Sequence, residues 1–273
     1  MADPILLFGV GATKAGTSWL YRMLDDHPDC RLPAVKELHY WDSFAPRHLR
    51  QRVTVCRRQV ADLEAARAEA EEAGDAGKAR NLSRRIDDTK GLAEMLERDR
   101  TGDSAYLSYV TGRGGNARLV ADITPAYGSL PEEMLSRMAG LGPRTRFVYL
   151  MRDPLARLWS HVRMLAGWQT PKAGDFAAAA NRLLAAVLRD GAEPAALERG
   201  DYAGAMARLA RAVPGDRLMP MFSEEALTQR GFDRLCGWLG IARRAVPEDR
   251  RVHAGRAAEI DYSLVPEALA RLR

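Results

Sequence analysis

Residues Ile5–Leu24 read ILLFGVGATKAGTSWLYRML, and their pattern decides the fold class. Ile5, Leu6, Leu7, Phe8 and Val10 form an apolar run interrupted only by Gly9, as in a strand buried on both faces. The run gives way to Gly11-Ala12-Thr13-Lys14-Ala15-Gly16-Thr17-Ser18, a turn of small residues. Beyond it Trp19, Leu20, Met23 and Leu24 recur at helical spacing. A strand, a small-residue loop and a helix in that order make a phosphate-binding unit. Glycine lets backbone N–H groups close on an anion, and the helix N-terminus adds its partial positive charge. Lys14 supplies a mobile ammonium, and Thr17 and Ser18 supply hydroxyls.

The loop departs from the nucleotide triphosphatase pattern in one respect. GxxxxGK[ST] places lysine directly after the second glycine, whereas Gly16 is followed by Thr17 and the lysine precedes it by two residues. A phosphate is still expected here, with the cation on the other side of the turn.

A chain of 273 residues with 47% apolar and 28% charged content has the makeup of an ordinary globular protein. It is read as a single α/β domain over residues 1–273. The net charge of +5 favours anionic ligands. Basic residues are dispersed without an aromatic-rich stripe, which argues against nucleic acid as a partner. Cys30, Cys56 and Cys236 are far apart and fit neither a metal spacing nor a disulfide framework, so a reducing compartment is expected. No stretch reaches the roughly 20 apolar residues of a membrane span, and no leader pattern opens the chain. The expected location is the cytoplasm.

After the first helix, Lys36-Glu37-Leu38-His39-Tyr40-Trp41-Asp42 follows a proline-bearing loop. If extended, this segment puts Glu37, His39 and Trp41 on one side. A carboxylate beside an imidazole is a candidate general-base site, and the competing reading, favoured by this segment alone, is two ordinary surface residues. Residues 47–100 then change character. Leu49, Val53, Cys56, Val60 and Leu63 keep heptad spacing, Gly74 and Gly77 mark a turn, and Leu82, Ile86, Leu92 and Leu96 follow. The pattern predicts an inserted antiparallel helical hairpin, a candidate for homo-oligomer contacts or for covering an acceptor site. Arg118–Tyr127 reads as a buried strand ending at Thr124-Pro125, with Asp122 and Thr124 at the end where ligands collect in α/β sheets.

In Arg146–Met164 a strand over Phe147–Met151 leads to Arg152, an N-cap Asp153 and Pro154 at the first helical position. Ser160, two turns in, faces whatever Arg152 holds; the pair suits a second phosphate. The competing reading pairs Arg152 with Asp153 and leaves Ser160 to solvent. Helices are predicted over Phe176–Arg189, from Tyr202 through Leu209, and over Phe232–Leu239, with a strand at Leu218–Phe222 and a short last helix.

Together these stretches resemble the sulfotransferases that use 3′-phosphoadenosine 5′-phosphosulfate (PAPS), most closely the heparan-sulfate-type and bacterial branch. Lys14-Ala15-Gly16-Thr17-Ser18 is similar to the family's 5′-phosphosulfate loop, and Arg152-Asp153-Pro154 through Arg157 and Ser160 to its 3′-phosphate motif. Glu37-Leu38-His39-Tyr40-Trp41-Asp42 resembles ExHFFD, Thr124-Pro125-Ala126-Tyr127 the [ST]PAY element, and Arg199-Gly200-Asp201-Tyr202-Ala203 the RGxYA element. Gly255-Arg256 echoes a late KGR loop that closes over the nucleotide.

The resemblance implies a P-loop-like central parallel sheet flanked by helices, with the hairpin inserted at about 47–100. It implies in-line transfer of a sulfuryl group from PAPS to a hydroxyl or amine, leaving 3′-phosphoadenosine 5′-phosphate (PAP), with no metal. The donor would be held by Lys14, Ala15, Gly16, Thr17, Ser18, Arg152, Ser160, Tyr202, Gly255 and Arg256. Lys14, Glu37 and His39 would be catalytic, with Glu37 or His39 as the base. Glu37, His39, Asp42 and Asp122 would face the acceptor, a small molecule, lipid or saccharide. Ile123 and Ala254 stand where the heparan branch carries lysine, which argues against a glycosaminoglycan acceptor. Two other readings stay open: a P-loop kinase or nucleotide hydrolase, and a non-catalytic nucleotide-binding or interaction protein.

Overall fold

Seven consecutive buried residues make β1 (Ile5–Gly11) the centre of the molecule. The computed structural model describes residues 3–112, 115–247 and 256–272. After β1 come α1 (Thr17–Asp25), the two-residue β2 (Cys30–Arg31), and the long helices α2 (Pro46–Glu72) and α3 (Ala76–Glu97). Then follow α4 (Ser104–Thr111), β3 (Leu119–Ile123), a 3₁₀ turn at Pro125–Ser129, α5 (Glu132–Ala139) and β4 (Thr145–Met151). The second half holds α6 (Pro154–Gln169), α7 (Phe176–Arg189), α8 (Ala195–Glu198), α9 (Tyr202–Ala212) and β5 (Leu218–Phe222). The last described elements are α10 (Ser223–Ala226), α11 (Gln229–Leu239) and α12 (Val265–Arg271).

The five strands pair in parallel in the order β2-β3-β1-β4-β5, the central parallel sheet that the sequence predicts. The chain leaves β1 toward β2 on one side and leaves β4 toward β5 on the other. The carboxyl ends of β1 and β4 therefore flank the topological switch point, where a ligand crevice opens in sheets of this kind. The loop after β1 and Arg152 after β4 both stand there.

Phe8 ties the strand to its surroundings, with its ring 5.2 Å from that of Phe147, 6.3 Å from Trp41 and 6.5 Å from Tyr127. Such edge and tilted contacts fix ring geometry as well as burying area. The hairpin is present but is less of an appendage than its mixed charge suggests. Val53 and Cys56 of α2 and Leu92 and Leu96 of α3 join the main core. Leu63, Ala70, Ala79, Leu82 and Ile86 form a separate cluster nearer the tip. Helix α6 likewise buries Leu158 and Val162 against Leu184, Val187 and Leu188 of α7 in a second cluster, away from the sheet core. Among the described residues no helix is long and apolar enough to cross a membrane, and the three cysteines are buried and free.

One local expectation is overturned. Residues 33–45 contain no strand, and Glu37 (φ 65°) and His39 (φ 53°) adopt left-handed backbone conformations. Alternation therefore fails: Trp41 is buried at 1% exposure while Glu37 and His39 keep partly open side chains.

Candidate active site

The loop after β1 is pinned at both ends. Ala12 N–H donates to Leu150 C=O of β4 at 2.6 Å, and the N–H groups of Trp19 and Leu20 donate to Gly16 C=O at 3.0 and 3.1 Å. Ser223 Oγ lies 2.6 Å from Ala15 C=O and 2.8 Å from Met151 C=O, so one buried hydroxyl links the loop to the end of β4. Gly16 caps α1 at φ 97°, and a Cβ there would come within 3.0 Å of Leu227 Cδ1. No side chain caps α1 and its first turn holds no acid. Its free N–H groups and dipole are open to an anion.

Lys14 (φ 72°) has a half-buried side chain whose Nζ touches Met164 Sδ of α6 at 3.7 Å. Burial pushes its pKa down, and the nearby charge of Arg163 pushes it further; the Glu37 carboxylate opposes them. Among the described residues Lys14 pairs with no carboxylate. Lys14, Glu37 and His39 are three of the four non-glycine residues described with positive φ. Each such conformation costs about 1–2 kcal/mol, and such residues cluster where surrounding structure holds a site in shape.

Arg152 sits at the tip of β4. Tyr202 grips its backbone on both sides, accepting from Arg152 N–H at 3.2 Å and donating to Arg152 C=O at 2.9 Å. Arg152 Nη1 reaches toward Lys14 C=O at 3.5 Å. Asp153 does cap α6, accepting from Ala156 N–H at 2.7 Å, and so does not pair with Arg152. Half-buried Ser160 has no hydrogen-bond partner among the described residues. Arg163 and Met164 lie one turn further on the same face of α6.

Arg157 matches the same motif but plays a different part. It is completely buried, donates to Ala196 C=O, and has Nη1 3.4 Å from His161 Nδ1. A Cβ on Gly200 would stand 2.8 Å from the Arg157 guanidinium, so the turn that carries Tyr202 closes directly over that group. Burial, with Arg157 adding to it, holds His161 down at about 4, which keeps the imidazole neutral.

On the opposite wall Glu37 accepts from Lys36 Nζ, and its Oε2 is 3.6 Å from His39 Nε2. His39 Nδ1 is 2.7 Å from Asp42 Oδ2. Burial pulls His39 downward, but Asp42 and Glu37 outweigh it and raise its pKa to about 9. Burial likewise pushes Glu37 upward, yet His39 and Lys36 hold it at about 2. The pair is thus an imidazolium beside a carboxylate at neutral pH.

Asp122, at 1% exposure, does not reach the open face of the site. Its oxygens accept from Thr124 Oγ1 at 2.6 Å and from the hydroxyls of Tyr106 and Tyr127 at 3.0 Å each. Burial, only partly offset by those donors, raises its pKa to about 6. Tyr127 Oη in turn accepts from Tyr40 N–H at 2.9 Å, so Asp122 braces the Glu37–Asp42 segment from behind. Gly255 lies outside the described residues. The Arg256 guanidinium sits 4.3 Å over the Phe176 ring, near the carbonyls of the 170–174 turn.

The structure thus gathers Lys14, the loop over 15–18, Arg152, Ser160, Tyr202, Glu37, His39 and Asp42 around the carboxyl ends of β1 and β4. Sequence reasoning passes over Lys36, Met164 and Ser223. Ser223 and Met164 act across 208 and 150 residues of chain, and no local pattern encodes such contacts. Lys36, beside Glu37, carries the one local signal, an adjacent cation and carboxylate.

A small-residue loop at the switch point of a five-stranded parallel sheet defines a P-loop-like α/β protein. The sequence profile of the Sulfotransferase family matches residues 4–218, and the chain belongs to that family. A sulfotransferase from Alicyclobacillus acidocaldarius has a similar fold at a TM-score of 0.59, with 22% identity over 100% of this chain and 95% of that one. The sulfotransferase domain of the Synechococcus PCC 7002 olefin synthase matches at 0.52, with 18% identity over 99% of this chain and 93% of that one. At these identities the likeness is one of fold. No curated protein matches the sequence.

Proposed function

We propose that the protein transfers a sulfuryl group from PAPS to a hydroxyl or amine of an acceptor, with Glu37 as the base. The observation that carries this is the convergence, at one switch point, of an anion-ready loop, two cations free of carboxylate partners among the described residues, and an ionised carboxylate. When bound, PAPS supplies an activated sulfuryl group on a phosphate leaving group. The N–H groups at the start of α1 and the Lys14 ammonium hold the 5′ end, and Arg152 and Ser160 hold the 3′-phosphate. The residues fit a doubly anionic ligand: Arg152 Nη1 lies 3.5 Å from Lys14 C=O, and the Ser160 hydroxyl has no partner among the described residues.

Lys14 stabilises charge that develops on the departing phosphate. Glu37, ionised and aimed by Lys36 and His39, takes the acceptor's proton. A carboxylate near 2 is a weak base, but by analogy with phosphoryl transfer the transition state is loose. The acceptor proton then becomes acidic late, and positioning contributes more than basicity.

Differential scanning fluorimetry tests the reading. PAP at 100 times its dissociation constant adds about 2.7 kcal/mol and raises Tm, while ATP with magnesium leaves it unchanged. Stabilisation by ATP with magnesium and none by PAP would overturn the assignment in favour of a kinase or hydrolase.

A further inference from the structure

The segment that carries Glu37 and His39 is irregular, so its carbonyls have no sheet ladder to satisfy them. Among the described residues no backbone N–H reaches the carbonyls of Glu37 or Leu38. Their donors come from the helical insertion. Arg52 of α2 donates from Nη2 to Glu37 C=O at 2.7 Å and from Nε to Leu38 C=O at 3.2 Å. Arg100, on the strand of chain returning from α3, donates from Nη1 to Ser43 C=O at 3.0 Å and from Nη2 to Tyr40 C=O. Its guanidinium also lies 4.0 Å from the Tyr40 ring centroid and 3.9 Å from that of Phe44, within cation–π range of both.

We propose that Arg52 and Arg100 are positioning residues, through which the α2–α3 insertion holds the Glu37–Ser43 backbone in its left-handed turns and so aims the Glu37 and His39 side chains. The guanidinium suits the task because its donors diverge in a fixed plane and can serve two carbonyls at once, which an ammonium cannot do with the same geometry. Both arginines act on the main chain, so the side chains of Glu37 and His39 stay available. The insertion then has a function in the site: it is the far jaw of a clamp whose near jaw is the Asp122–Tyr127 network.

This inference rests on Glu37 and His39 forming the acceptor side of the proposed site, and its test is independent of turnover. The charged groups facing His39 are Glu37 and Asp42 on its own segment, Arg52 of α2 and Asp122 of β3. Removing the Arg52 charge alone would raise the His39 midpoint, because that charge disfavours the imidazolium. Loss of positioning has the opposite sign, since it releases His39 from Glu37 and Asp42.

Histidine ¹³C–¹H NMR titration of the full chain, with His39→Gln for assignment, separates the two. We expect Arg52→Gln to lower the His39 midpoint by about one unit or more toward the ordinary histidine value, and Arg52→Lys to fall between it and wild type. A midpoint unchanged or raised in Arg52→Gln overturns the proposal. If Arg52→Gln does not fold, Arg52→Lys and Arg100→Lys carry the same comparison. PAP stabilisation should be equal in wild type and variant; its loss only in the variant, showing collapse of the whole site, also overturns the proposal. Failure of the wild type to bind PAP sinks the sulfuryl-transfer reading and leaves the His39 comparison intact.

Discussion

His39 Nδ1 meets Asp42 Oδ2 at 2.7 Å while the opposite ring nitrogen looks at Glu37. The imidazolium is therefore held between two carboxylates, and its charge belongs to the folded state. Because its pKa is raised to about 9, its stabilising contribution is full below about 6.5 and is lost as pH rises through 9. Glu37 is depressed to about 2, so its contribution is present above about 4.5 and lost as pH falls toward 2. Asp42→Asn should lower Tm most between those limits, at pH 5–6.5, with the difference from wild type shrinking above about pH 9. A difference that grew with alkaline pH would contradict the charge assignment.

Gly16→Ala tests the loop. The residue sits at φ 97°, and the new methyl would press on Leu227 at 3.0 Å. We expect a loss of about 1–2 kcal/mol in urea unfolding from backbone strain. PAP affinity should fall at least about tenfold by calorimetry, because the N–H groups at the start of α1 would no longer converge.

Glu37→Gln and Lys14→Ala separate chemistry from binding. The amide should keep the PAP-induced rise in Tm yet lose about 10²–10⁴ in transfer rate with labelled donor, the usual span of a general base. Lys14→Ala should abolish transfer and weaken PAP as well. Full activity in Glu37→Gln would show that Glu37 is not the base.

Tyr202→Phe removes a hydroxyl that serves both the N–H and the C=O of Arg152. Leaving those groups unpaired in a half-buried turn costs about 1–3 kcal/mol. The variant should bind PAP more weakly while leaving the His39 titration unmoved, since Tyr202 stands on the opposite wall. Nucleotide affinity measured beside the histidine spectrum checks both halves.

Much of this arrangement is legible in the sequence, and the gaps have physical causes. β1 with its loop and α1, the hairpin, α7, β5 and the capped start of α6 are all written in local periodicity, glycine placement and capping residues. β2 has two residues and α4 and α5 eight each, too short for periodicity to stand out. The Glu37–Asp42 segment misleads because alternation presumes an extended backbone, and positive φ at two non-glycine residues leaves no compositional mark. Arg157 matches the 3′-phosphate motif, which says nothing of where its guanidinium goes. Only the fold reveals that Gly200 and Ala196 close around it.

The separation of the hairpin's apolar stripe into two clusters sets a boundary on its mechanical independence. Near Cys56 and Leu96 the two helices share the sheet's core, whereas Leu63, Ala79 and Ile86 pack in a cluster of their own, tied to the body through Arg84, which pairs with Asp25 and donates to Leu32 C=O. The far end should therefore open first. Amide protons there should exchange through subglobal opening, faster than those of β1. Shortening both helices in register beyond Leu63 and before Ile86 should leave the arginine grip on the Glu37 loop, and nucleotide affinity, untouched. The near end, by contrast, is tied to whatever the Glu37 segment does, through Arg52 and Arg100.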